Sequence, residues 1–238
     1  MNSRIAQIRE SERKSHTEIY SKETLYDSDS WLAKPIKTVR EIVPSFSDHD
    51  VLRVLDLGCG VGRNSIFIAE QFAGKDCLID CVDILDIAIE KLQVNAQTRG
   101  VAECIRGCVD TIEHFPIKKD SYDLIIAVSA LEHVESKEAF LQKLREIEEG
   151  VKEYGIVCLV INSEVRESVK ETGEDLKPQF EVNLKSDELQ SYLDEVFAGW
   201  ETVKSTMSFQ EYDIPRDNLT SHLTTNVVTY VGHKDICK

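Results

Sequence analysis

This chain of 238 residues lacks the run of roughly 18 apolar residues that a membrane-spanning helix needs. Its opening, MNSRIAQIRESERKSHTE, is polar and has no apolar h-region, so no secretory leader is expected. Basic charge is also scarce: 28 Lys and Arg face 43 Asp and Glu, for a net −15, with no Lys/Arg cluster large enough to bind a phosphate backbone. Nucleic acid and membrane are therefore disfavoured as partners. The phosphate-cradling G-x-x-x-x-G-K-[ST] motif is absent. The seven cysteines form no C-x-x-C pair and have no histidine at zinc spacing. Cys77/Cys81 and Cys104/Cys108, placed on strands, stand more than ~10 Å apart along the backbone. They read as small core residues, which excludes a disulfide framework and a cysteine-held metal and fits reduced thiols in a cytoplasmic protein. No internal repeat or low-complexity tract is present.

What the chain does have is an ordinary 42% hydrophobic content and a length suited to one large α/β domain. The stretch that organises it is VLRVLDLGCGVGRNSIFIAEQF, residues 51–72. A short apolar run stops, turns over Gly58, Gly60 and Gly62, and enters the apolar face of a helix. Glycines there permit positive φ and let a ligand approach the backbone. The spacing is G-x-G-x-G, with Arg63 where a dinucleotide fingerprint would place its last glycine. Asp56 before the first glycine suits a cationic ligand better than a pyrophosphate.

The segment Val54-Leu55-Asp56-Leu57-Gly58-Cys59-Gly60 closely resembles the first motif of the class I S-adenosylmethionine (SAM)-dependent methyltransferases. The continuation Gly62-Arg63-Asn64-Ser65 resembles the tellurite-resistance branch. The resemblance covers about residues 50–161 well and the last third in outline. It implies SAM as cofactor, S-adenosylhomocysteine as product, and in-line transfer of the sulfonium methyl to a small-molecule acceptor, a metalloid oxyanion among the candidates. Two other classes remain open: a non-catalytic SAM-binding regulatory or partner subunit, and a nicotinamide-dependent oxidoreductase. Arg63 counts against the oxidoreductase.

Periodicity predicts strands over 77–83, 102–106, 122–128 and 155–161, with helices over 86–98 and from a Ser136 cap to Gly150. Ser30 reads as the cap of a helix through Trp31, Ile36, Val39 and Val43, and Ser186 as the cap of one through Leu189, Tyr192, Leu193 and Phe197. Residues 201–212 and 225–231 read as two late strands; the resemblance implies that the last enters the sheet antiparallel. The expected fold is a doubly wound, mostly parallel, seven-stranded Rossmann-like methyltransferase sheet with helices on both faces. Residues 1–45 form an N-terminal helical arm and 46–238 the SAM-binding domain, with 162–185 and 213–222 as substrate-side excursions. The arm's sparse apolar positions read as a surface helix. The resemblance offers instead a flap that brings Tyr20 or Tyr26 to the pocket.

Asp83, about 20 residues past the glycine loop, is placed to hydrogen-bond ribose hydroxyls, with Ile84 against the adenine. The resemblance puts Asp110 at the adenine amino group and Val109 beside it, with Thr111 as a competitor for that place. It also lines the methionine end of the cofactor with the Ser129–Val134 segment. His133 there is either a general base or a packing residue, and Glu132 a scaffold carboxylate. The expected cofactor contacts are thus Asp56, Gly58, Cys59, Gly60, Gly62, Arg63, Asn64, Asp83, Ile84, Val109, Asp110, Ser129 and His133. His133, Arg216 and His222 are the candidates for acceptor chemistry, and no metal is expected. The segment is neither Asn/Asp-Pro-Pro-Tyr nor Pro-Cys, which excludes the adenine- and glutamine-amino and cytosine-C5 chemistries. Oligomeric state is not legible.

Overall fold

The computed structural model describes residues 3–28, 30, 32–216 and 219–235. Trp31, residues 217 and 218 of the expected late loop, and Cys237 lie outside them.

Helix α1 (Ser3–Lys22) is followed by the short α2 (Lys37–Ile42) and a 3-10 turn at Val43–Phe46. The helix expected from Ser30 is thus confined to α2. Pro35 disfavours helical backbone at the residue before it, and Ser30 Oγ accepts the Leu32 N–H in a local turn instead. Next come β1 (Val51–Leu57), α3 (Ser65–Gln71), β2 (Asp76–Asp83), α4 (Asp86–Thr98), β3 (Ile105–Val109) and β4 (Tyr122–Val128). The third strand begins later than expected, because Ala102–Cys104 is a 3-10 turn. Gly107 conceals the strand in the sequence, yet a Cβ there would meet Ile89 and Gln93 of α4 at 2.8 and 2.9 Å.

The remaining elements are α5 (Lys137–Gly150), β5 (Val151–Val169), β6 (Asp175–Leu176), α6 (Ser186–Val196), β7 (Glu201–Arg216) and β8 (Leu219–His233). Ser136 caps α5 as expected, its side chain accepting the Ala139 N–H. Ser136→Ala should cost about 1 kcal/mol in urea unfolding. Ser186 does not cap α6; its hydroxyl donates to Glu164 instead.

The described residues of the expected loop over 213–222 are strand, whereas the expected excursion over 162–185 is strand only through Val169 and at Asp175–Leu176. Beyond Ile161, β5 alternates inward and outward through Ser163, Val165 and Glu167, and β8 does the same through Ser221, Leu223 and Thr225. Several inward positions are polar, so the period-2 apolar signal is broken. Their groups are matched across the hairpin: Ser163 Oγ donates to Asn226 O, and Ser221 Oγ to Glu167.

The sheet runs β3-β2-β1-β4-β5-β8-β7, with β6 paired to β5. β3, β2, β1, β4 and β5 are parallel, and β8 is antiparallel to both neighbours. The seven-strand expectation is met on the main path, with two-residue β6 in addition. Alternate residues of β1 serve opposite core layers. Leu52 and Val54 pack with Val39, Ile66 and Leu92, while Leu55 and Leu57 pack with Phe140, Leu144 and Leu193. Leu124 through Ala127 are fully buried, as a central parallel strand covered on both faces requires. Strand order reverses between β1 and β4, so a crevice opens at their C-terminal ends. Of the cysteines, Cys59, Cys77, Cys81 and Cys158 are buried and free, while Cys104 and Cys108 are half-buried and free. Among the described residues no helix is long and apolar enough to cross a membrane.

Candidate active site

At the end of β1 the backbone turns with φ of +73°, +54° and +91° at Gly58, Gly60 and Gly62. The Gly58 and Cys59 N–H groups both donate to Val82 O, at 2.8 and 3.0 Å, tying the loop to β2. Gly58 must lack a side chain because a Cβ would stand 2.4 Å from Ala130 Cβ. At Gly60 a Cβ would meet Tyr20 Oη at 3.0 Å. Asp83, at the end of β2, is fixed by two backbone donors: Gly60 N–H to Oδ2 and Leu85 N–H to Oδ1, each at 2.9 Å. Burial raises its pKa and these two donors pull it back.

Above this floor lies a cavity of about 660 Å³, within the range of small-molecule sites. Of the expected contacts, Gly58, Cys59, Gly60, Arg63, Asn64, Asp83, Ile84, Ser129 and His133 line it. Ser129 has φ +49° and donates its N–H to Val160 O at 2.7 Å, a strained non-glycine turn at the end of β4.

The other expected contacts are not on the cavity wall. Asp56 is 1% exposed and accepts from Ser65 Oγ, binding loop to helix. Gly62 faces the core, where a Cβ would meet Leu92 Cδ1 at 2.4 Å. Val109 is exposed. Asp110 turns back to accept the Thr111 N–H at 2.8 Å, and Thr111 stands at the cavity instead. Arg216 pairs with Glu167 at 3.0 Å and donates to Gln179 at 2.8 Å. His222 lies beside Asp213, 3.1 Å away on the exposed hairpin. Neither lines the cavity, although Tyr212 of the same hairpin does.

The cavity's outer wall is α1, contributing Arg9, Glu12, Arg13, His16 and Tyr20. The surface-helix expectation thus gives way to a covering helix: Tyr20 is 5% exposed at the cavity, whereas Tyr26 donates to Arg63 O at 2.8 Å outside it. Arg4 Nη2 donates to Phe180 O, Arg9 pairs with Glu113, and Arg13 pairs with Asp86. Positions 9, 12, 13, 16 and 20 fall on one helical face, a signal carried by polar residues rather than apolar ones.

His133 stacks on Phe180 with centroids 5.0 Å apart. Its Nδ1 lies 3.2 Å from Glu12 Oε1 and 3.0 Å from Glu181 Oε2. Burial alone would lower the His133 pKa, but Glu12 and Glu181 outweigh it and raise it to about 9. Burial pushes Glu12 up to about 7 despite His133.

Asp56 is also pushed up to about 7, by burial, with Ser65 opposing. A folded pKa above the unfolded ~3.9 means the folded state binds more protons, so this contribution to stability falls as pH rises from about 4 to 7. Asp56→Asn should therefore lose about 2–3 kcal/mol less than wild type between pH 5 and pH 8, measured by urea unfolding at both values.

The sheet order, the antiparallel β8 and the glycine loop against Asp83 define a class I, Rossmann-like methyltransferase fold. Residues 54–155 match the family model described as a methyltransferase domain. Norajmaline N-methyltransferase of Rauvolfia serpentina is 27% identical over 135 residues, covering 56% of this chain and 42% of that protein. Ubiquinone biosynthesis O-methyltransferase of Rickettsia canadensis is 31% identical over 106 residues, covering 44% of this chain and 42% of its own length. These matches thus span less than half of either relative. The structure of Burkholderia thailandensis 1,6-didemethyltoxoflavin-N1-methyltransferase, with 1,6-didemethyltoxoflavin and S-adenosylhomocysteine bound, shares the fold with a TM-score of 0.57 at 16% identity. It is covered over 90% of its length and covers 97% of this chain.

Proposed function

We propose that the protein is a methyltransferase that takes the methyl group of SAM and delivers it to a small-molecule acceptor within the α1-covered cavity. The observation that carries this reading is the Asp83 carboxylate, oriented by the Gly60 and Leu85 N–H groups at the floor of the cavity. A carboxylate so held suits a ribose diol, and the side-chain-free surface at Gly58 and Gly60 suits close approach of a ligand to backbone. Ile84 and Thr111 would flank the base, while Ser129, Ala130 and His133 would flank the methionine end. SAM supplies a methyl already activated on sulfonium, transferred by attack opposite the leaving thioether. The chain's task is then to align the acceptor and exclude water. Helix α1 does the excluding: Tyr20, His16 and Glu12 close the side that the sheet leaves open.

The acceptor is read as small because α1 and its ion pairs leave a bounded cavity, not a groove. N- and O-methyltransferases both occur among the similar proteins, so either atom type fits. The metalloid oxyanion rests on Gly62–Ser65 alone. In the structure Gly62 packs against Leu92, and Asn64 Oδ1 accepts the Ile36 N–H at 3.1 Å. Those contacts shape the loop and say nothing of an acceptor.

The test is conversion of SAM to S-adenosylhomocysteine with panels of amines, phenols and metalloid oxyanions. Acceptor-dependent product formation is expected. Saturable SAM binding without turnover on any panel would instead make the chain a SAM-binding module.

A further inference from the structure

We propose that Glu12, His133 and Glu181 form a binding site for a divalent first-row transition-metal ion at the edge of the cavity. His133 Nδ1 stands 3.2 Å from Glu12 Oε1 and 3.0 Å from Glu181 Oε2. One donor atom from each residue lies within 4.8 Å of the others. Adjacent ligands at right angles on an ion with bonds of ~2.1 Å are themselves ~3 Å apart, so both contacts to Nδ1 already have the required spacing. The three residues come from α1, the turn after β4, and the segment between β6 and α6. They are remote in sequence, which is why spacing rules for metal motifs miss them.

A second observation points to a missing cation. The Glu181 side chain is 0% exposed, and its Oε1 is left without a hydrogen bond. Glu132, next to His133, is 1% exposed and leaves Oε2 in the same condition. Buried carboxylate oxygens of this kind are costly unless a charge or donor reaches them. Arg9 Nε approaches Glu181 Oε1 only to 3.5 Å, while Arg9 Nη2 is committed to Glu113. Arg216 is tied to Glu167. Arg9 thus reaches Glu113 and Glu181, and Arg216 also acts on Glu12, while Glu12, Glu132 and Glu181 all act on His133.

One imidazole and two carboxylates suit Mn²⁺, Fe²⁺ or Zn²⁺. Three protein ligands also leave coordination positions for water or an oxygen of the acceptor. Because Glu12 belongs to α1, the ion would be completed only when that helix is seated. The inference needs the cavity but not the cofactor, and so stands apart from the methyl-transfer reading.

The experiment is titration of the full chain with Mn²⁺ alone, following the electron paramagnetic resonance signal of free Mn²⁺. One saturable ion per chain is expected. Glu12→Gln and Glu181→Gln should each weaken it by about 10-fold or more. Glu10→Gln, which alters a cavity carboxylate outside the trio, should leave it unchanged, and a cooperative melt of each variant shows that it is folded. The proposal is overturned if no saturable binding occurs, if both trio variants bind as wild type does, or if Glu10→Gln weakens binding equally. Mn²⁺ binding without S-adenosylhomocysteine binding would sink the methyltransferase reading and leave this site standing.

Discussion

Asp83→Ala is expected to weaken S-adenosylhomocysteine binding by about 100-fold or more in calorimetric titration. The carboxylate is 9% exposed, so hydrogen bonds from a ribose diol would form with little competition from water. A hydrogen bond to a charged group contributes about 1.5–3 kcal/mol, and two lost together exceed the ~2.7 kcal/mol that separates 100-fold in affinity. The variant also frees the Gly60 and Leu85 N–H groups, which now hold the loop in place. Its melt should remain cooperative, since β2 and its neighbours keep their pairing. Binding within 3-fold of wild type, on the order of 0.6 kcal/mol, would remove Asp83 from the ribose.

Gly58→Ala is expected to cost about 2–5 kcal/mol of stability in urea unfolding. A left-handed backbone costs an L-residue about 1–2 kcal/mol, and Gly58 sits at φ +73°. The added methyl would then stand 2.4 Å from Ala130 Cβ, an atom one bond from backbone that cannot swing aside. Overpacking of this kind adds about 1–3 kcal/mol. Gly100 separates the two causes: its φ is +71°, but a Cβ there meets nothing within 4 Å. Gly100→Ala should show only the backbone part, about 1–2 kcal/mol. Equal losses at the two positions would mean that Ala130 yields and that the loop is less tightly built than its contacts imply.

The parts legible in the sequence are those where contiguous residues carry the signal. Residues 51–72 declare strand, turn and helix in one stretch. The apolar run of β4 and the Ser136 cap mark their elements to within a residue. Asp83 is legible because the strand that carries it ends there. The site's outer half is not legible for a different reason. Helix α1 covers the cavity with Arg9, Glu12, Arg13 and His16, so its functional face is polar while its apolar stripe is thin. Glu181 lies in an aperiodic stretch, and only tertiary contact brings it to His133. Residues 213–222 of the β7–β8 hairpin read as loop because Ser221 and, on the neighbouring β5, Glu167 face inward where apolar residues would give the alternation. Asp110 and Thr111 differ by one position, and the choice depends on a carboxylate that folds back onto the next N–H. Such local hydrogen bonding is typical of aspartate at a strand end.

The most direct test of the central claim is parallel calorimetric titration of the full chain with S-adenosylhomocysteine and with NAD. Saturable binding of one S-adenosylhomocysteine per chain is expected, with no heat from NAD beyond dilution. Saturable NAD binding with no response to S-adenosylhomocysteine would contradict it, and would assign the glycine loop and Asp83 to a dinucleotide.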